Sequence, residues 1–312
     1  MSGLPHGPDG NGSFCGLVGD HPRMLELRDA IRRAAALDTP VVVCGPTGAG
    51  KELVARALHQ FSACAEGPFC PVNVAALPEA LVESEMFGSA RGAFTGAVAD
   101  RRGLVETAHG GSLFLDEAGD LPHHTQAKLL RVLDSGEVRR VGAAHARRAC
   151  FRLIAAVQDE PCALLRDRRW RRDFFYRVNG VVLRVPSLRE HREDIGPIAR
   201  AFLLSRTLPG LDGGALAVLT GRAWPGNVRE LQQTLVRAAF HCANGRITVD
   251  AIRAALADGG NGHSVRRALS LDAVRQGHVR STVDECGGDT RRAAEVLGIS
   301  RTHVYRLLAE DD

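Results

Sequence analysis

The sequence predicts an α/β fold built on a parallel sheet, followed by two smaller helical units. Three observations predict it. A β-branched run at 41–43 enters a glycine-rich turn and then a helical pattern. Short apolar runs at 112–115, 153–157 and 181–185 follow, with helical periodicity between them, as at 127–133. Strands alternating with helices indicate a parallel sheet covered on both faces. After Pro186 the strand pattern stops, and the chain reads as helical to about 256, interrupted at 209–214 and 224–226.

The bulk composition allows this arrangement. The chain has 312 residues, 45% of them hydrophobic, enough for about two domains with a sizeable core. No apolar run reaches the roughly 18 residues of a membrane span. Residues 1–15 are rich in Gly, Pro and polar residues, without the basic start and apolar core of a secretory signal, and read as a flexible tail. The eight cysteines are scattered, and none form a Cys-x-x-Cys pair. That argues against a disulfide framework or zinc site and for reduced thiols in the cytoplasm. The net charge of +4 decides little. The predicted organisation is a tail (1–15), an α/β unit (16–186), a helical unit (187–256), a linker (257–268) and a terminal helical unit (269–312).

The first strand leads into Gly45-Pro46-Thr47-Gly48-Ala49-Gly50-Lys51, a G-x-x-x-x-G-K sequence before a helix with apolar Leu53, Val54, Ala57, Leu58 and Phe61 on one face. Glycines let backbone N–H groups turn inward around phosphate oxygens. The helix N-terminus adds positive partial charge, and a lysine here reaches the β- and γ-phosphates. Lysine occurs only at Lys51 and Lys128, so its presence at the required position carries weight. Glu52 stands where Ser or Thr usually contacts magnesium.

The next strand, 112–115, ends in Asp116 and Glu117. Carboxylates at the C-terminal end of a central strand lie beside the phosphate loop in such folds. Asp116 would hold Mg2+ and Glu117 would polarise an attacking water. A solvated Asp-Glu turn is the bland reading of the same pair.

Gly92-Ala93-Phe94-Thr95-Gly96-Ala97 is, physically, a small-residue loop presenting one aromatic and one hydroxyl. Its sequence is identical to the loop that marks the bacterial sigma-54-dependent transcriptional activators, enhancer-binding proteins of the AAA+ class. Three further stretches resemble that family: Asn73-Val74-Ala75-Ala76-Leu77-Pro78-Glu79, Glu85-Met86-Phe87-Gly88, and Gly110-Gly111-Ser112-Leu113-Phe114-Leu115-Asp116-Glu117. The family's phosphate loop ends Gly-Lys-Glu, which accounts for Glu52. The resemblance runs over roughly 16–257 and again at the C-terminus.

What the resemblance implies is an ATPase that works as a ring, usually a hexamer. It would use ATP and Mg2+ to remodel RNA polymerase holoenzyme carrying sigma-54. Phe94 and Thr95 would contact sigma-54. Asn73 would pair with Glu117 as a sensor of the γ-phosphate. Trp170-Arg171-Arg172-Asp173-Phe174-Phe175-Tyr176-Arg177 resembles the arginine-finger segment, with Arg171 and Arg177 at the finger positions. In so Arg-rich a chain, a solvated basic face is the alternative. Trp224-Pro225-Gly226-Asn227-Val228-Arg229-Glu230-Leu231 resembles sensor II, which would bring Arg229 to the nucleotide. Leu17 and Val18 match the domain's start, where the adenine packs; an ordinary core role is equally open. Gly110 and Gly111 are counted with the ATP-binding residues. There are departures from the family pattern. Val157-Gln158 replaces the common Thr-Asn of sensor I, with Gln158 retaining an amide donor. Trp170 replaces Phe, and His191 replaces Arg and reads as a surface residue.

Near the C-terminus, 291–297 reads as a short helix, Gly298 as a turn, and Ser300 as the cap of a second helix to about 309. Ala293, Ala294, Leu297, Ile299, Val304 and Leu307 would form a small core. This helix-turn-helix layout resembles the Fis-type domain that ends these activators, with Asp289 for the common Asn. Arg291, Arg301, Thr302, His303 and Arg306 would face double-stranded DNA at an enhancer site. From His263 onward there are eight arginines and eight acidic residues, so net charge does not decide between DNA binding and a dimerisation unit.

Family members often carry a sensing domain before the ATPase, and only about fifteen residues precede it here. The corresponding expectation is control by a trans-acting regulatory protein or by expression level. Two other readings share the fold: a DNA-binding regulator that uses ATP only to assemble, and a different AAA+ remodeller.

Overall fold

The computed structural model describes residues 14–93, 98–242, 245–260 and 271–309. The chain divides into two compact units, Met1–Ser187 and Leu188–Asp312.

The first unit is organised by five parallel strands: β1 (Val41–Cys44), β2 (Phe69–Asn73), β3 (Ser112–Asp116), β4 (Arg152–Val157) and β5 (Val181–Arg184). Their spatial order is β2-β3-β4-β1-β5. The inner strands β1 and β4 are buried along their whole length. Strands covered on both faces read as continuous apolar runs, which is why 41–43 and 153–157 stand out in the sequence. The edge strand β2 gives no such signal. It contains Pro71, which cannot donate to a ladder and is tolerated because β2 has a neighbour on one side only.

Alternation along the strands splits the core into two layers. Val41 and Val43 point to a layer closed by α1 (Pro22–Ala35) and α2 (Lys51–Gln60). Val42 and Cys44 point to the opposite layer. There they meet α3 (Glu79–Phe87), α4 (Leu104–Thr107), α5 (His123–Ser135), α6 (Pro161–Arg166) and α7 (Arg172–Val178). At the N-terminal edge of the sheet, the buried Arg152 guanidinium donates to the carbonyls of Ala34 and Ala35, at 2.6 and 2.7 Å. It thereby caps the negative end of α1.

The second unit contains α8 (Ile195–Ser205), α9 (Gly213–Gly221), α10 (Asn227–Phe240), α11 (Val249–Gly260), α12 (Leu271–Glu285), α13 (Thr290–Leu297) and α14 (Arg301–Ala309). Helix α11 continues through Gly260, so the expected linker begins inside a helix. His191 corrects another expectation. It is buried, 3% exposed, with Nδ1 3.1 Å from the Asp194 carboxylate, rather than lying on the surface. Between α13 and α14, Gly298 adopts φ +65°, a left-handed turn that glycine takes without Cβ strain. Ala294, Val304 and Leu307 form a small core with Val279 of α12, and Leu297 and Ile299 pack against it. Among the described residues, no helix is long and apolar enough to cross a membrane.

Candidate functional site

Because the sheet is parallel, the C-terminal ends of all its strands lie along one edge. The register sets Cys44 beside Val157 and Asn73 beside Asp116. The loop after β1, the acidic pair after β3 and Gln158 after β4 therefore meet at that edge, although they span 45–158 in sequence.

The loop Gly45 to Gly50 is fixed by close backbone approach. Gly45 N donates to Val157 O at 3.2 Å, and a Cβ on Gly45 would lie 2.7 Å from Val185 O. Gly48 and Gly50 adopt φ +75° and +101°. Ala49 N donates to Pro46 O at 3.3 Å, which turns the chain through Thr47. Lys51 opens α2, is 7% exposed, and folds back with Nζ 2.9 Å from Gly45 O and 3.4 Å from Pro46 O. Glu52 points along the helix surface to Arg56, 2.7 Å away. Leu17 is buried beside the start of α2, its Cδ2 3.9 Å from where a Cβ on Gly50 would stand, and Val18 is half-buried.

At the end of β3, Asp116 is half-buried. Desolvation pushes its pKa up, and the neighbouring Glu117 carboxylate raises it further, against the lowering effect of Lys51. Glu117 sits at φ +53°, a left-handed conformation that costs a non-glycine residue order 1 kcal/mol and is often found at functional sites. Its N–H donates to Asp116 Oδ1 at 3.1 Å. Gln158 Nε2 donates to Glu117 Oε1 at 3.0 Å. Asn73, expected at that position, instead accepts a bond from Ala76 N at 3.2 Å and caps the short turn Val74–Ala76.

Gly110 and Gly111 require a correction. They precede the first residue of β3, at the opposite end of the strand from Asp116. Gly111 is small because the chain at Pro68 crosses there: a Cβ on it would lie 2.0 Å from Pro68 O. Gly110 has open space around it and instead adopts φ +76°, a left-handed turn. Packing at Gly111 and backbone conformation at Gly110, not the nucleotide edge, account for them.

Sequence reading also missed a buried link behind Glu117. The Gln126 amide is fully buried, donating to Leu121 O and Arg169 O at 2.7 Å each and accepting from Arg171 N at 2.9 Å. Trp170 Nε1 donates to Ala118 O at 3.0 Å, and Arg169 pairs with Asp120 at 2.5 Å. A polar residue just ahead of the apolar helical run 127–133 was the available signal. Arg171 forms two bonds to Asp173, at 3.0 and 2.7 Å, and holds that carboxyl down at about pKa 2. Arg177 bonds Asp134 at 2.7 Å and Leu133 O at 2.5 Å. Both arginines are exposed, and these partners lie on α5 and α7 rather than on the phosphate loop.

Of the hexapeptide, Gly92 (φ +80°) and Ala93 are described, whereas Phe94, Thr95, Gly96 and Ala97 lie outside the described residues. The flanks are clamped. Arg91 N donates to Asp100 Oδ1 at 2.9 Å, and buried Arg140 bonds Glu106 at 2.6 and 2.8 Å and Asp100 at 3.4 Å.

In the second unit, Arg229 is exposed on α10. Arg291, Arg301, Thr302 and Arg306 are exposed on α13 and α14, and His303 is half-buried. Tyr305, not anticipated, is 50% exposed, and its hydroxyl lies 3.2 Å from both Arg301 Nη2 and Thr290 Oγ1. Arg306 Nη2 lies 3.3 Å from His303 Nε2.

Comparison with known proteins gives a consistent result. Residues 17–184 match the Sigma-54 interaction domain, and residues 189–268 match the AAA+ ATPase lid domain. The Nif-specific regulatory protein of Azotobacter vinelandii is 40% identical over 307 residues, covering 93% of this chain and 58% of the relative. That of Azospirillum lipoferum is 43% identical over 240 residues, covering 75% and 38%. Thus this chain spans 38% to 58% of the length of these two relatives. The response regulator protein PilR of Pseudomonas aeruginosa is 38% identical over 307 residues, covering 93% and 68%. Among solved structures, NtrX from Brucella abortus in complex with ATP superposes with a TM-score of 0.71 at 32% identity, covering 94% of this chain and 69% of that one.

Proposed function

The chain belongs to the Sigma-54 interaction domain family, with an AAA+ lid following it, and on that premise we propose that it hydrolyses ATP to drive transcription by sigma-54 RNA polymerase. The observation that carries the reading is the convergence of Lys51, Asp116 and Glu117 on one edge of the sheet. ATP is the proposed nucleotide, as it is for the NtrX structure.

The backbone N–H groups of 45–50 and the N-terminus of α2 cradle the phosphates, and Lys51 swings from the carbonyls of Gly45 and Pro46 to the β- and γ-phosphate oxygens. The donor set fits Mg2+. Asp116 would hold it through a half-buried carboxylate, an oxygen donor of the kind Mg2+ takes, whose charge is penalised by burial and by Glu117. When bound, Mg2+ supplies neutralisation of charge on the phosphates. Glu117 takes the proton of the attacking water. Arg171 and Arg177 leave their carboxylate partners to stabilise the transferring phosphoryl group of a neighbouring subunit, within a ring, proposed as a hexamer. Leu17 and Val18 flank the base, and the sensor II assignment of Arg229 rests on resemblance alone.

The stretch 92–97 is the proposed contact with sigma-54, held at its base by Arg140. The helices α13 and α14 are the proposed DNA-binding helix-turn-helix. Arg301, Thr302, His303 and Arg306 on α14 meet base edges or phosphates, and Arg291 on α13 meets phosphate. A trans-acting partner and cytoplasmic location complete the proposal.

ATP turnover measured at assembling concentrations for wild type and Glu117→Gln tests it. Turnover in wild type that falls at least about 100-fold in the variant, with nucleotide still bound, supports the reading. Absence of turnover in wild type, with ATP-dependent assembly retained, supports a regulator that uses ATP only to assemble.

A further inference from the structure

Glu117 is held from the β4 side of the sheet, not from the β2 side. Strand β3 lies between the two. On the β2 side, the register puts Asn73 opposite Asp116, one residue short of Glu117. The Asn73 Oδ1 is engaged by Ala76 N at 3.2 Å. On the β4 side, Gln158 follows the last residue of its strand, and its Nε2 donates to Glu117 Oε1 at 3.0 Å. Side-chain length makes this contact possible. Asparagine is one methylene shorter, about 1.5 Å less reach, so the same separation would open to about 4.5 Å, well beyond a hydrogen bond.

The bond matters because, among the described residues, Glu117 has little else to fix its side chain. Its backbone is set by the left-handed turn and by the bond from its own N–H to Asp116. Those contacts place Cα and leave the carboxylate free to rotate. An amide donor on one oxygen fixes the plane of the carboxylate.

We propose that Gln158 is a positioning residue for Glu117, carrying in this chain the role that the family resemblance assigns to Asn73. The proposal deepens the ATPase reading and rests on Glu117 as the base. Gln158 does not touch the reacting atoms; it aims the group that does.

The test uses the full chain and two readouts. The first is the Gln158 side-chain amide signal in nitrogen–proton NMR of the nucleotide-free protein, assigned by its absence in Gln158→Ala. In wild type, the Gln158 amide protons are shifted and slowed in exchange. Glu117→Asn returns them to free values, because asparagine accepts the left-handed backbone but is too short to reach Gln158. Asn73→Ala leaves them in place. The second readout is steady-state ATP turnover. Gln158→Ala lowers kcat about tenfold with KM for ATP within about twofold. Gln158→Asn behaves like Gln158→Ala despite retaining an amide, whereas a purely structural role for the side chain would leave kcat unchanged. A Gln158 amide signal identical in wild type and Glu117→Asn overturns the proposal, as does unchanged kcat in Gln158→Ala. If wild type has no turnover, the ATPase reading fails by itself, and the NMR comparison still decides whether Gln158 holds Glu117.

Discussion

Gln126→Leu removes a buried amide while keeping most of its volume, and its cost can be worked from three bonds. Gln126 is fully buried, and its partners are Leu121 O, Arg169 O and Arg171 N, at 2.7, 2.7 and 2.9 Å. Leucine satisfies none of them. A buried polar group left without a partner costs about 1–3 kcal/mol, so three such losses sum to about 3–6 kcal/mol, since some partners reach water. Burying an aliphatic side chain instead of an amide offsets about 1–2 kcal/mol. The net loss is about 3 kcal/mol, a large fraction of the 5–15 kcal/mol typical of a domain. Two assays read it. The urea midpoint followed by circular dichroism falls. Native-state hydrogen exchange at Arg171 N, which loses its acceptor, speeds up by about 100-fold, the equivalent of about 2.7 kcal/mol. Wild-type protection at Arg171 N with an unchanged midpoint would refute the idea that this amide ties the turn at 118–121 to the segment 169–171.

Asp116→Asn stabilises the nucleotide-free protein at pH 7 and abolishes turnover. The folded-state pKa of Asp116 is raised above its ordinary 3.8. Stability from this group is therefore full below the unfolded pKa and lost as pH rises through the folded one. Thermal melts show a higher Tm for the variant at pH 7, and the gap closes below pH 4, where both side chains are neutral. Gly45→Ala brings a Cβ to 2.7 Å from Val185 O; calorimetry shows ATP binding weakened by at least about tenfold, the strain costing about 1–3 kcal/mol. Trp170→Phe removes the Nε1 bond to Ala118 O and lowers stability by about 1–2 kcal/mol in urea melts. Arg301→Ala lowers affinity for duplex DNA about tenfold and flattens its dependence on salt, as read by fluorescence anisotropy at several salt concentrations.

The central strands were legible because burial on both faces leaves an uninterrupted apolar run, as in 41–43 and 153–157. Strand β2 was not, because Pro71 is acceptable only at an edge, and edge position is a property of the assembled sheet. The phosphate loop and acidic pair were readable locally, since each is a short motif with its strand attached. Which side chains touch was not. The resemblance offered Asn73 as the partner of Glu117 and Gln158 only as the sensor I residue, and strand register and side-chain length bring Gln158 to Glu117 instead. The misassignment of Gly110 and Gly111 has a similar origin. They are contiguous in sequence with Asp116, but a strand carries its two ends to opposite edges of the sheet. His191 was misjudged because its partner, Asp194, is equally polar, and a mutually satisfied buried pair resembles a surface segment in one dimension.

The scarcity of lysine has a practical consequence. The chain holds two side-chain amines, Lys51 and Lys128. Lys128 is accessible on α5, 45% exposed beside Glu83, whereas Lys51 is nearly enclosed at the phosphate loop. An acylating reagent therefore modifies one side-chain amine readily and the other slowly. The ratio of the two products, read by peptide mass, is an internal-reference gauge of loop occupancy in which Lys128 normalises for reagent dose. No engineered label is needed.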